Sequence, residues 1–191
     1  MKKDFLDSED IKRYAQDGIQ VRINHSDPKF INHISTLKLA KLAKKNRVSK
    51  FIYASSCSIY GIMGEDEKNE KSDLNPLTAY SKSKVDCENG LKALSDTKFD
   101  VICLRFATAA GYSPRLRLDL VLNDFVASAL INNKIELLSD GSAWRPIIDV
   151  DDMSRSIVWA TTQKLDKNNF LSLNVGKNCW NFKIKDLAEA V

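Results

Sequence analysis

Glycine is scarce where a phosphate site would need it. The 191 residues hold seven, Gly18, Gly61, Gly64, Gly90, Gly111, Gly141 and Gly176, and no two have the spacing of a glycine-rich turn between a strand and a helix. That excludes a readable pyrophosphate cradle of backbone amides and helix N-terminus. Residues 1–27, read as a short helix from Ser8 to Gln16 and a short strand from Ile19 to Ile23, carry no such loop and stay unassigned. Cysteine appears four times, at Cys57, Cys87, Cys103 and Cys179, with no CxxC pair, and histidine twice, at His25 and His33. Metal-cluster spacing is therefore absent, and reduced thiols are expected. No apolar run approaches the ~20 residues of a membrane span. The start MKKDFLDSEDIKR lacks the apolar stretch of a signal peptide, so a cytoplasmic protein without a membrane partner is the expectation.

What is present fits one α/β domain with a substantial core: 43% hydrophobic residues, 28% charged and a net charge of +4. The basic excess is spread over helix faces and not interleaved with aromatics. That argues against a nucleic-acid partner and suits an anionic substrate.

The chain is organised around Phe51 to Lys84. FIYASSCSIYG begins as an apolar, β-branched and aromatic run, the mark of a buried strand, and breaks at Ser55 and Ser56. A hydroxyl thus sits at the strand's exit. In PLTAYSKSK, Thr78 can cap a helix that carries Tyr80 and Lys84 just over one turn apart, so phenol and ammonium share a face. This suits proton transfer at a carbinol: a cation beside Tyr80 favours its phenolate, and Ser56 can bond the same substrate oxygen. The same spacing also fits a packed tyrosine and a solvated lysine. Of the five tyrosines, however, Tyr80 alone has a lysine four residues on.

FIYASSCSIYG, PLTAYSKSK, LRFATAAGYSPRLR and WRPIIDVDD, in that order, resemble the extended short-chain dehydrogenase/reductases, in particular the NAD-dependent nucleotide-sugar epimerase/dehydratase branch typified by UDP-glucose 4-epimerase. The resemblance runs from about Asn32 to Val191. It implies a Rossmann-type parallel sheet with helices on both faces, lacking the first βαβ units, followed by part of a small substrate-binding region. Residues 28–113 would be the remainder of the NAD-binding domain and 114–191 the substrate part. The resemblance further implies a catalytic Ser56, Tyr80 and Lys84, and cofactor contacts at Asn32, Ser55, Tyr80 and Lys84. Substrate contacts would fall to Ser56, Thr108, Asn123 and Arg145, with NAD as cofactor, a nucleotide sugar as substrate and a homodimer as a possible state. The family's asparagine near Thr108 is missing here, and Asp149 stands where a histidine is usual. Cys57 and Ser58 occupy the places of the Asp-Glu pair that dehydratases use, which favours an epimerase or a simple sugar-nucleotide dehydrogenase.

The remaining segments read in order. SDPKFINHISTLKLAKLAKKNRVSK reads as a helix with Asp27 as cap and Pro28 as first residue, with Asn32, Thr36, Leu39 and Ala43 on one face. Gly61 to Pro76 is a charged loop, too polar to pack. Helices are expected over 79–95, 117–132 and 151–162 and from Lys185, with strands at DVICLRF, IELL and FLSLNVG. Asn123 and Arg145 also fit an exposed helix polar and a surface ion pair. Because the glycine loop is missing, NAD binding by this chain alone is doubtful. Two further readings stay open: a noncatalytic remnant of the fold, and an interaction module that pairs with a chain supplying the missing half.

Overall fold

The computed structural model describes residues 29–62, 67–113, 117–165 and 168–191. The readings at Ser8 to Gln16, Ile19 to Ile23, Asp27 and Pro28 lie outside them.

The first sheet has three parallel strands: β1 (Lys50–Ser56), β2 (Asp100–Phe106) and β5 (Phe170–Val175), in the order β1-β2-β5. Alternation along β2 decides what each face packs. Val101 and Cys103 point to one side, where they meet Ala40 of α1 (Ser35–Lys45) and Cys87 and Leu91 of α2 (Ala79–Leu94). Ile102, Leu104 and Phe106 point to the other, against Ala160 of α4 (Val150–Thr162). Helices therefore cover both faces, which is why β2 is apolar from Val101 to Leu104 and again at Phe106. The chain is an α/β protein of Rossmann type.

A smaller sheet follows, with β3 (Thr108–Ala110) parallel to β4 (Trp144–Asp149) and β6 (Asn181–Lys183) antiparallel to β4. Its core joins Ala110 and Ile147 to Phe125 of α3 (Val121–Asn132) and Leu187 of α5 (Ile184–Ala190).

Three local readings need correction. Lys29–Ile34 is a wide π-turn leading into α1, and its wider turn shifts the phase of the residues after it. Leu37, Ala40 and Ala43 take the core contacts and Leu39 is left 38% exposed, so of the Asn32, Thr36, Leu39, Ala43 stripe Leu39 turns outward, while Asn32, Thr36 and Ala43 face inward as expected. IELL is not a strand: Ile135 packs beside the α3 core, but Leu138 is 98% exposed and no ladder partner lies beside the segment among the described residues. The 61–76 loop, expected not to pack, is tied down in its described part. Glu70 accepts from the Asn174 amide at 2.8 Å and the Asn75 amide donates to the Ile59 carbonyl at 3.0 Å.

Candidate active site

β1 delivers Ser56 as its last residue, and a 3-10 turn over Cys57–Tyr60 follows at once. The Ser56 hydroxyl accepts from the Ser58 amide at 3.2 Å, so the side chain closes the turn while staying at the strand's exit. Gly61 ends that turn with φ +79, and a Cβ there would collide with the Asn75 carbonyl, so glycine is required.

α2 starts where the sequence predicts. Thr78 and Ser81 form a reciprocal capping box, the Ser81 amide donating to Thr78 Oγ1 at 3.1 Å and the Thr78 amide to Ser81 Oγ at 3.0 Å. This fixes the first turn, which carries Tyr80. One turn on, the Lys84 ammonium donates to the Ala54 carbonyl at 2.7 Å. It lies 5.4 Å from the centre of the Tyr80 ring and 4.8 Å from that of Tyr53. Helix and strand end are thereby joined by the lysine itself, and Ser56, Tyr80 and Lys84 converge on one edge of the sheet.

Their electrostatics differ from the expectation. Lys84 was to hold the Tyr80 phenol below its ordinary value. Instead burial raises Tyr80, opposed by the Ser56 hydroxyl and by the charge of Arg117. Burial also lowers Lys84, against the charges of Cys87 and Glu88. The ammonium approaches the faces of both rings and bonds a carbonyl, so its charge is directed away from the phenol oxygen. Tyr80 is 43% exposed, open to a ligand and fully protonated at neutral pH.

Asn32, expected on the cofactor side, donates through Nδ2 to Ser83 Oγ at 3.2 Å, and Ser83 in turn donates to the Tyr80 carbonyl at 2.6 Å. The Asn32 carbonyl accepts from Cys87 Sγ at 3.2 Å. The residue thus clamps the π-turn to the first turns of α2. Ser55, also expected at the cofactor, is buried, and its hydroxyl donates to Glu88 Oε1 at 2.6 Å. Its side chain therefore points into the core, one residue out of phase with Ser56, and a cofactor contact there would fall to the backbone.

Thr108, Asn123 and Arg145 stand apart from this group, on the smaller sheet and its helix. Thr108 is in register with Ile147, and Arg145 lies two residues before Ile147 on β4, so Thr108 and Arg145 share a face by alternation. Phe125 of α3 packs with Ile147, so α3, with Asn123 in its first turn, covers that same face. Asn123 Nδ2 donates to the Arg117 carbonyl at 3.0 Å, holding the segment whose guanidinium faces Tyr80 and chelates Asp119 at 2.6 and 2.5 Å. Arg145 is exposed and has no carboxylate partner among the described residues, which leaves its fork open. Asp149 caps α4, accepting from the Asp151 amide at 2.7 Å.

A cavity of about 680 Å³ lies between residues 67–70, Trp144, Pro146 and the Asn174–Asn178 turn. Ser56, Tyr80 and Lys84 line none of it. The triad carries the chemical reading, because space alone moves no proton. Cys57 also lines the cavity, but burial pushes its thiol up to about 12 and it donates to the Arg105 carbonyl at 3.1 Å, so it is no nucleophile.

Tyr80, itself exposed, and Lys84, with its ammonium at the strand end, are the residues that could hold the ribose of a dinucleotide. The glycines that the structure describes, however, are taken up by packing within the chain: Gly90 against Leu37, Gly111 against Asp149, Gly141 against Lys185 and Gly176 against Ala107, besides Gly61. Among the described residues no backbone cradle for the pyrophosphate is formed.

Sequence reasoning missed one group of functional interest, the buried Glu88 and Arg105. The signals were there: Glu88 continues the Tyr80, Lys84 series at four-residue spacing, and Arg105 is a charge in an otherwise apolar strand.

Residues 11–176 match the model of the NAD dependent epimerase/dehydratase family. The UDP-glucose 4-epimerase of Mycolicibacterium smegmatis is 30% identical over 149 residues, 74% of this chain and 47% of that protein. The dTDP-D-glucose 4,6-dehydratase of Dictyostelium discoideum is 29% identical over 134 residues, 64% of this chain and 30% of that one. The UDP-glucuronic acid 4-epimerase of Bacillus cereus, solved with UDP-glucuronic acid and NAD, superposes with a TM-score of 0.69 at 26% identity, covering 81% of this chain and 48% of that one. The chain spans between 30% and 48% of the length of these three relatives. The match over residues 11–176 identifies the chain as a member of the NAD dependent epimerase/dehydratase family.

Proposed function

We propose that the chain carries the proton-transfer half of an NAD-dependent nucleotide-sugar epimerase. The observation that carries the reading is the convergence of Ser56, Tyr80 and Lys84 at the carboxyl edge of the sheet, with Lys84 bonded to Ala54 two residues before Ser56. Tyr80 takes the proton from a sugar hydroxyl and later returns it. Ser56 orients the same oxygen, and Lys84, once it leaves the Ala54 carbonyl for a ribose hydroxyl, places its charge beside the phenol. NAD, when bound, supplies the acceptor and donor of hydride. Cys57 and Ser58 give no acid/base pair for water loss, which supports an epimerase over a dehydratase; a sugar-nucleotide dehydrogenase uses the same three residues.

A second reading, a noncatalytic remnant or an interaction module of this fold, draws on the packed glycines and the half-length match. Calorimetry with NAD on the isolated 191-residue chain tests the account of the cofactor site that both readings share. The reading above expects binding far weaker than micromolar for this chain alone, because no pyrophosphate cradle is formed among the described residues. Micromolar affinity would contradict that account of the cofactor site.

Arg145 is assigned to the substrate diphosphate, on the strength of its open fork and its shared face with Thr108. In a form restored with the missing half, Arg145→Ala weakens nucleotide diphosphate binding by about 1.5–3 kcal/mol. Arg145→Lys recovers part of it by keeping charge without the fork. Equal affinity for wild type and the alanine variant would return Arg145 to the surface.

A further inference from the structure

Behind Ser56 runs a buried polar chain that the proposed chemistry does not use. It begins at Ser55 and crosses the whole first sheet. Ser55, Arg105 and Asn174 are direct neighbours in register on β1, β2 and β5. Ser55 Oγ donates to Glu88 Oε1 at 2.6 Å; Arg105 donates through Nη2 to Glu88 Oε2 at 2.7 Å and through Nε to Oε1 at 3.1 Å. Its remaining arm, Nη1, donates to the Tyr60 hydroxyl at 2.8 Å, which donates to Asn174 Oδ1 at 2.7 Å. Arg105 is 5% exposed and Glu88 4%. Burial would push the Arg105 guanidinium down, but the bonds and charge of Glu88 outweigh it and hold it above its ordinary value.

Two features make this more than a core ion pair. Glu88 stands one turn beyond Lys84 and two beyond Tyr80, on the face of α2 that meets β1. Its partners lie on either side of the catalytic serine: Ser55 immediately before Ser56, and Tyr60, through Arg105, at the end of the turn that Ser56 opens. One carboxylate therefore ties the strand end, the turn and the helix to a single register. An apolar contact tolerates sliding by part of a turn, whereas a bidentate charge-assisted pair does not.

We propose that Glu88 and Arg105 are positioning residues, a buried clamp that sets the phase of α2 against β1 so that Tyr80 and Lys84 meet Ser56. The inference rests on the triad assigned above. It predicts that stability and alignment can be separated, because a buried ion pair is often replaceable by apolar side chains of similar volume without loss of stability.

The test uses the 191-residue chain labelled with 13C-tyrosine, the Tyr80 ring signal being assigned by its loss in Tyr80→Phe. In wild type, Ser56→Ala shifts the Tyr80 signal, because the two hydroxyls interact. In Glu88→Met/Arg105→Met the chain is expected to melt close to wild type, while Ser56→Ala no longer shifts Tyr80. The Lys84 titration, which Tyr53, Tyr80, Cys87 and Glu88 all face, moves further down on loss of the Glu88 charge. Glu88→Gln, which keeps shape and one acceptor, should show the same loss of coupling in part, and it decides the matter if the double variant fails to fold. An undiminished Ser56→Ala shift in either folded variant overturns the clamp. No turnover enters this measurement, so it can fail while the hydride chemistry stands, and the chemistry can fail while it holds.

Discussion

In any form of this protein that turns over, Tyr80→Phe lowers kcat by about 10²–10⁴-fold and leaves the fold and nucleotide affinity unchanged. The substitution removes one oxygen. Tyr80 is 43% exposed and makes no side-chain bond on which the core depends, so its loss costs the protein little structurally. The chemical loss is large because the phenol alone can move the proton: Ser56 is a neutral hydroxyl closing a turn, and the Lys84 ammonium has no acceptor. Lys84→Ala should lose activity and cofactor affinity together, and the Ala54 carbonyl would lose its donor. A Tyr80→Phe enzyme with wild-type rates, measured beside an unchanged circular dichroism spectrum, would remove the triad from the mechanism.

The second large effect is on stability. Glu88→Ala is expected to destabilise the chain by about 3–5 kcal/mol, because it leaves the Arg105 guanidinium buried and unpaired. Arg105→Ala should cost a similar amount by stranding Glu88 and taking the donor from Tyr60. The exposed pairs Arg117 with Asp119 and Arg155 with Asp152 offer the control, since removal of either surface partner should change stability by less than about 1 kcal/mol. Urea unfolding midpoints at constant m-value check all four. A Glu88→Ala variant as stable as wild type would mean that water reaches the guanidinium.

Much of the site was legible in sequence because it depends on local rules. A strand that ends in serine, a threonine cap and a four-residue step on one helix need no knowledge of distant residues, and all three stand where the sequence put them. The parallel order of β1 and β2 followed from the helix between them. What escaped depends on contacts far apart in the chain. The partners of Glu88 lie 33 positions before it, at Ser55, and 17 after it, at Arg105, and nothing local marks which buried carboxylate meets which guanidinium. The π-turn before α1 disturbs a regular helical period, so that Leu37 and Ala40 turn to the core and Leu39 does not. IELL has the composition of a strand but lacks a neighbour to pair with among the described residues, and composition carries no information about neighbours. The direction of the Tyr80 shift was misjudged for a related reason. Four-residue spacing puts Lys84 on the right face, but only the fold shows its ammonium over the rings and on a carbonyl instead of at the phenol oxygen.

Hydride transfer by the assembled site is tested most directly with a nucleotide sugar deuterated at the reacting carbinol carbon, UDP-glucose labelled at C4 being the first probe. The protein is used with the missing half supplied and NAD present, and proton NMR follows the sugar. The account predicts interconversion of epimers with the deuterium returned to the same carbon, no net accumulation of NADH, and no reaction with Tyr80→Phe. Deuterium washed out into solvent, or loss of water from the sugar in place of epimerisation, would contradict it.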